Sequence, residues 1–159
     1  MNDAPVFAIE KLYVKDFSVE VPNAPQIFLD RESPEIEVQL RSQARGVDEG
    51  MFEVLLTVTV TAKVKDKVAF LVEVGQAGIF QVKNVPDESV EPLLGIACPN
   101  ILFPYAREAV SEATVRAGFQ SVVLQPVNFE SLFMSQKEAQ QGGDKQDGDK
   151  QDAPQIVLP

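Results

Sequence analysis

Four stretches between residues 7 and 82 alternate apolar and polar side chains with a period of two, and that alternation constrains the fold more than any other feature of the chain. Side chains on an extended strand point to opposite faces in turn, so each stretch predicts a strand with one dry and one wet side. In residues 7–21 the apolar set is Phe7, Ile9, Tyr13, Phe17, Val19 and Val21, set against Glu10, Asp16, Ser18 and Glu20. Pro22-Asn23-Ala24-Pro25 stops this strand, because each ring fixes φ and disfavours helix at the residue before it. The loop that follows carries Ile27, Phe28 and Leu29, apolar side chains that need a floor beneath them. Residues 34–45 alternate Ile36, Val38 and Leu40 with Glu35, Glu37, Gln39 and Arg41, and Gly46-Val47-Asp48-Glu49-Gly50 predicts the next turn. Residues 51–63 set Phe52, Val54, Leu56, Val58 and Val60 against Glu53, Thr57, Thr59 and Thr61, with Leu55 out of pattern. Lys65-Asp66 predicts a tight hairpin into residues 68–82, where Phe70, Val72 and Val74 share one face and Leu71 and Glu73 the other. Short connections between four strands imply an antiparallel sheet with one apolar face and one acidic, threonine-rich face in water.

After Asn84-Val85-Pro86-Asp87 the period changes. Val90, Leu93 and Leu94 suggest a short helical turn, and Leu102, Ala106, Val110, Ala113 and Ala117 recur at helical spacing up to Gly118. Pro99 reads as the start of this main helix, where a missing N–H costs nothing, and Pro104, a turn deeper, predicts a bend. The second half of the apolar stripe is small, which suits close approach by another helix. A last helix opens at Asn128 as N-cap, with Val127 and Leu132 placed as a hydrophobic staple and Phe129, Leu132 and Phe133 on one face, and ends near Gln140. The fold class is therefore α+β, a four-stranded antiparallel sheet with two main helices on one face, in a single domain over residues 1–140. From residue 141 the chain turns to Gly, Asp, Lys and Gln, with Asp-Lys-Gln-Asp at 144–147 and again at 149–152, a composition that predicts a disordered polar tail over 141–159. Its apolar tip, Ile156-Val157-Leu158-Pro159, has no explanation in the sequence.

Composition removes most other function classes. The chain has 24 acidic and 14 basic residues, a net charge of −10, which repels phosphate backbones and anionic lipids and argues against nucleic-acid and membrane partners. The tail from Ser135 onward carries little of that charge, so the acidity belongs to the domain. With no His and a single Cys98, the usual proton carrier, the His-based triads and the spacings of metal sites are missing; the reading is no metal, no cofactor and a reducing compartment. Gly75-Gln76-Ala77-Gly78 lacks the Lys and the Ser or Thr of a phosphate loop. Asp16 and Glu20 share a strand face but lie roughly 13 Å apart, too far for a paired acid and base. A small-molecule binder or enzyme would need an isolated carboxylate of raised pKa in a closed pocket, so the reading is not an enzyme. The first residues have no signal-peptide pattern and no run approaches the about 18 apolar residues of a membrane span, which points to the cytoplasm.

Residues 98–108, Cys-Pro-Asn-Ile-Leu-Phe-Pro-Tyr-Ala-Arg-Glu, place two prolines and four large apolar side chains in one helix. This run resembles the signature of the SecB family of export chaperones. The resemblance continues from Tyr13-Val14-Lys15-Asp16-Phe17 through Pro22-Asn23-Ala24-Pro25 to Gln125-Pro126-Val127-Asn128-Phe129, and departs in detail at Arg116-Ala117-Gly118-Phe119-Gln120-Ser121. It implies a homotetramer, a dimer of dimers, that binds unfolded presecretory proteins in apolar grooves without ATP and delivers them to the SecA motor. In that family the outer sheet face binds SecA, partly through the motor's zinc-bearing basic C-terminal segment; the matching positions here are Asp16, Glu20, Leu71 and Glu73. The implied client groove comprises Ile27, Phe28, Ile36, Val38, Leu40, Phe70, Phe129, Leu132 and Phe133. The alternative within the resemblance is a SecB-like chaperone dedicated to a toxin–antitoxin client.

Overall fold

The four alternating stretches form four long antiparallel strands, β1 (Val6–Glu20), β2 (Glu35–Asp48), β3 (Met51–Val64) and β4 (Lys67–Lys83). The computed structural model describes residues 3–142 and 156–158, and the last of these add a short strand, β5 (Ile156–Leu158), to give the order β1-β4-β3-β2-β5. Helical structure follows the sheet: α1 (Asp87–Pro92), a wide π-type turn (Leu93–Ala97), α2 (Cys98–Arg116) and α3 (Phe129–Gly142).

The core sits between α2 and the middle of the sheet. Val54, Leu56, Val58, Val60 and Ala62 of β3 and Phe70, Val72, Val74 and Phe80 of β4 are buried against Leu102, Ala106, Val110 and Ala113 of α2. Each larger side chain removed from water in this way stabilises the fold by about 1.5–3 kcal/mol before entropy is counted. The small residues of α2 let its backbone lie close to the branched side chains of β3 and β4.

Two register shifts in β1, between Ile9 and Lys11 and between Val14 and Asp16, break the simple odd–even reading of that strand. Phe7, Ile9, Phe17 and Val19 do face the helix side, opposite Val82, Phe80, Val74 and Val72. Between the bulges, however, Leu12 and Val14 take that side and Tyr13 turns to the outer face, opposite Ala77. Each bulge adds an unpaired residue and so inverts the alternation beyond it.

The turns follow local backbone demands. Lys65 (φ 52) and Asp66 (φ 46) are both left-handed, the conformation of a two-residue hairpin turn that matches strand twist. The second strand runs three residues past its expected end, because a shift between Gly46 and Asp48 absorbs the extra residue and the turn falls at Glu49-Gly50, with Gly50 at φ 67. Pro99 stands in the first turn of α2, as its sequence position predicts, although helical structure already begins at Asp87 and the π-type turn runs directly into α2. Gly118 (φ 92) ends α2 with Phe119 N–H donating to Thr114 O at 3.1 Å, a left-handed C-terminal cap. Thr114 Oγ1 then accepts from Val122 N–H at 3.0 Å, which ties the segment leading to α3 back onto α2. Asn128 caps α3 as its sequence position predicts, its Oδ1 accepting from Ser131 N–H at 3.0 Å. Of the tail read as disordered, residues 143–155 and 159 lie outside the described residues, while Val38, Gln39 and Leu40 of β2 pair antiparallel with Leu158, Val157 and Ile156.

Candidate binding faces

The outer face of the sheet is built by register. Glu20 stands directly opposite Leu71, Ser18 opposite Glu73 and Asp16 opposite Gly75, so Asp16, Glu20, Leu71 and Glu73 lie together on one face of the β1/β4 pair. The second bulge in β1 makes this possible, since it returns Asp16, Ser18 and Glu20 to the outer side. Gly75 keeps the surface flat there: a Cβ would meet the Asp16 Cβ and Leu55 Cδ1 at 3.3 Å. Asp16 and Glu20 are exposed, Leu71 and Glu73 half-buried.

A second charge cluster lies on the same face. Glu53, only 6% exposed, receives Lys15 Nζ at 2.8 Å, Arg45 Nε at 3.0 Å and the Tyr13 hydroxyl. Hydrogen bonds from Lys15 and Tyr13 hold its carboxyl down to about 2, against the opposing effect of burial. Burial and the Glu53 carboxylate push Tyr13 up to about 12. The alternation had placed Glu53 on the wet side; it is on the outer face, but sealed under its partners. Lys15, the bulged residue beside Asp16, spends its charge on Glu53. Among the described residues no ion pair involves Asp16, Glu20 or Glu73. Three unpaired carboxylates around a half-buried leucine attract a basic partner with an apolar contact point.

The opposite face carries two apolar hollows along β2. One, of about 370 Å³, lies between Leu40, Leu56, Leu94, Phe129, Leu132 and Phe133. The other, of about 410 Å³, is lined by Ile36, Val38, Leu40, Phe103 and the segment at residues 122–127. Leu40 lines both, so they follow each other along one strand. Six of the expected groove residues, Ile36, Val38, Leu40, Phe129, Leu132 and Phe133, are thereby brought together. Ile27, Phe28 and Phe70 line neither hollow, and Ile27 and Phe70 are buried in the core. Phe70 instead supports a run of rings, with Phe119 at 4.9 Å and Phe28, half exposed over Gly118, at 5.2 Å from Phe119. Leu29 remains exposed.

Sequence reasoning missed the far wall of the groove, where Val90 and Gly95 lie. Gly95 was the available signal, a glycine within a helical run; a Cβ there would stand 2.5 Å from the Phe133 ring, so its absence is what lets α3 settle. Cys98 is fully buried, and burial raises its thiol to about 12, which leaves it a packing residue.

Comparison with known proteins agrees with this geometry. The family described as preprotein translocase subunit SecB matches residues 1–140. Curated relatives include the protein-export protein SecB of Dechloromonas aromatica, 66% identical over 141 residues covering 89% of this chain and 93% of the relative. The protein of the same name from Azoarcus sp. is 61% identical over 144 residues, 90% of this chain and 95% of the relative. Among solved structures, the SecB-like chaperone Rv1957 of Mycobacterium tuberculosis, in complex with a ChAD peptide from the HigA1 antitoxin, superposes with a TM-score of 0.63 at 15% identity. That match covers 76% of this chain and 90% of the mycobacterial one and shows a shared fold.

Proposed function

The chain belongs to the SecB family and is a chaperone of the Sec export pathway, and from that premise we propose that it holds unfolded precursors along the inner side of β2 and presents its outer acidic face to SecA. The observation that carries this reading is the separation of two unlike surfaces by one sheet: contiguous apolar hollows meeting at Leu40 on one side, unpaired carboxylates around Leu71 on the other. An extended chain that buries about 400 Å² of apolar area there gains on the order of 10 kcal/mol gross, against the entropy of ordering it. Such contacts demand no particular sequence, and unfolded chains expose what they need.

The tetramer finds support in β1. Ile9 and Val14, on the helix side of that strand, are 49% and 52% exposed in the lone chain, with Phe7 and Phe17 beside them. A row of large apolar side chains at a strand edge, next to a helix whose Tyr105 and Val115 are also exposed, fits an interface between copies. Work in the cytoplasm fits the absence, among the described residues, of any helix long and apolar enough to cross a membrane. Binding, not catalysis, is the chemistry these surfaces offer. A dedicated antitoxin client is the other use of such a fold, and the assembled group Asp16, Glu20, Leu71 and Glu73 favours export over it. The test is suppression of aggregation: the purified protein keeps an unfolded precursor soluble and ignores its native form. Equal binding to both forms, or no suppression, removes the chaperone reading.

A further inference from the structure

The short strand β5 lies where a client is expected. It pairs with β2 at Val38, Gln39 and Leu40; Leu40 lines both apolar hollows and Val38 lines one of them. Among the described residues, β2 spans 14 positions and is paired along its length by β3, but on its other edge only by these three. An edge of that kind offers free N–H and C=O groups to any extended chain. Resting on the groove reading above, we propose that Ile156–Leu158 is an internal competitor, a piece of this chain that occupies the client edge of β2 until a longer unfolded segment displaces it.

The sequence suits that role. Ile156-Val157-Leu158 is the one run of large apolar residues after Met134, and β-branched residues favour the extended state. Pro154 and Pro159 bracket it, and neither has an N–H to extend the ladder, so the strand stays short. A three-residue strand binds weakly on its own. Tethered through residues 143–155, it acts at an effective concentration on the order of millimolar, enough to occupy a weak site without closing it. A client then sees only the unoccupied fraction of the protein, and its apparent dissociation constant rises by that factor.

The experiment compares the full chain with a chain ending at Gln155 and with Val157→Pro, using a permanently unfolded, carboxymethylated polypeptide as probe and amide hydrogen exchange at residues 38–40 as a second readout. Truncation is expected to tighten probe binding about two- to tenfold and to speed exchange at residues 38–40, with Val157→Pro behaving like the truncation. Equal binding with unchanged exchange overturns the competitor while leaving the groove intact. Weaker binding after truncation also overturns it, because the strand would then be part of the client contact. If exchange responds to truncation but neither chain binds the probe, the groove reading itself fails, and the competitor has nothing to compete with.

Discussion

The two faces of the sheet are built in opposite ways. On the outer face a few charges are placed by strand register and left unpaired, while neighbouring Glu53 takes up the local cations. On the inner face the surface is shared among β2, α3, the π-type turn and the segment at residues 122–127, and no single side chain dominates. On the proposed assignment of the two faces, a fixed partner would meet a compact pattern set by strand register, and variable clients would meet apolar area spread over elements that come together only in tertiary structure. Mutations should therefore cost much at single outer positions and little at single inner ones.

The largest expected effect is at the outer face. Asp16→Lys with Glu20→Lys reverses two of the three free carboxylates and should weaken SecA about 10- to 100-fold in a titration, with client affinity unchanged. Loss of both together would break the separation of the faces.

Next is Glu53→Gln, which sharpens the contrast within the outer face itself. A carboxyl held near 2, below its ordinary 4.5, contributes stability that is fully present above pH 4.5 and is lost as pH falls from there through 2. Gln keeps an acceptor but loses the charge, so unfolding at pH 7 should show a loss of about 1–2 kcal/mol and a shallower acid limb between pH 4.5 and 2. SecA affinity should hold. A drop equal to that of the Asp16 and Glu20 reversal would mean the whole face, not its unpaired end, does the docking.

Gly118→Ala tests how the segment beyond α2 is held. The residue has φ 92, and a Cβ would lie 2.9 Å from the Phe28 ring, so thermal unfolding should show a cost of about 1–2 kcal/mol. The smallest effect belongs to a single groove position: Val38→Asp should weaken an unfolded probe only about two- to fourfold, because the remaining lining still excludes water. A loss near that of the double charge reversal would contradict distributed binding.

Much of the fold was legible because strand alternation and helical spacing are local properties. The four strands, the Lys65-Asp66 hairpin, the Asn128 cap and the stripe on α2 all follow from residues near one another in sequence. What was not legible depends on distant partners. Tyr13 turns outward because the first bulge in β1 shifts its register on β4, and Glu53 is sealed because Arg45 reaches it from the adjacent strand β2 and Lys15 from β1, across β4. Phe70 had the right chemistry for a groove but the wrong depth, since Phe119 and Phe28 stack above it. The groove's far wall was invisible for the same reason: Gly95 matters only through the Phe133 ring that closes on it. Residues Asp16, Glu20, Leu71 and Glu73 were picked by resemblance, and their common face is a consequence of register.

The separation of the two faces is tested most directly by site-resolved amide hydrogen exchange with an unfolded precursor bound. New protection is expected at residues 129–133, with residues 36–40 at least as protected as in the free chain, and none at residues 16–20 or 71–73; protection at the outer residues with none along β2 and α3 would contradict the separation.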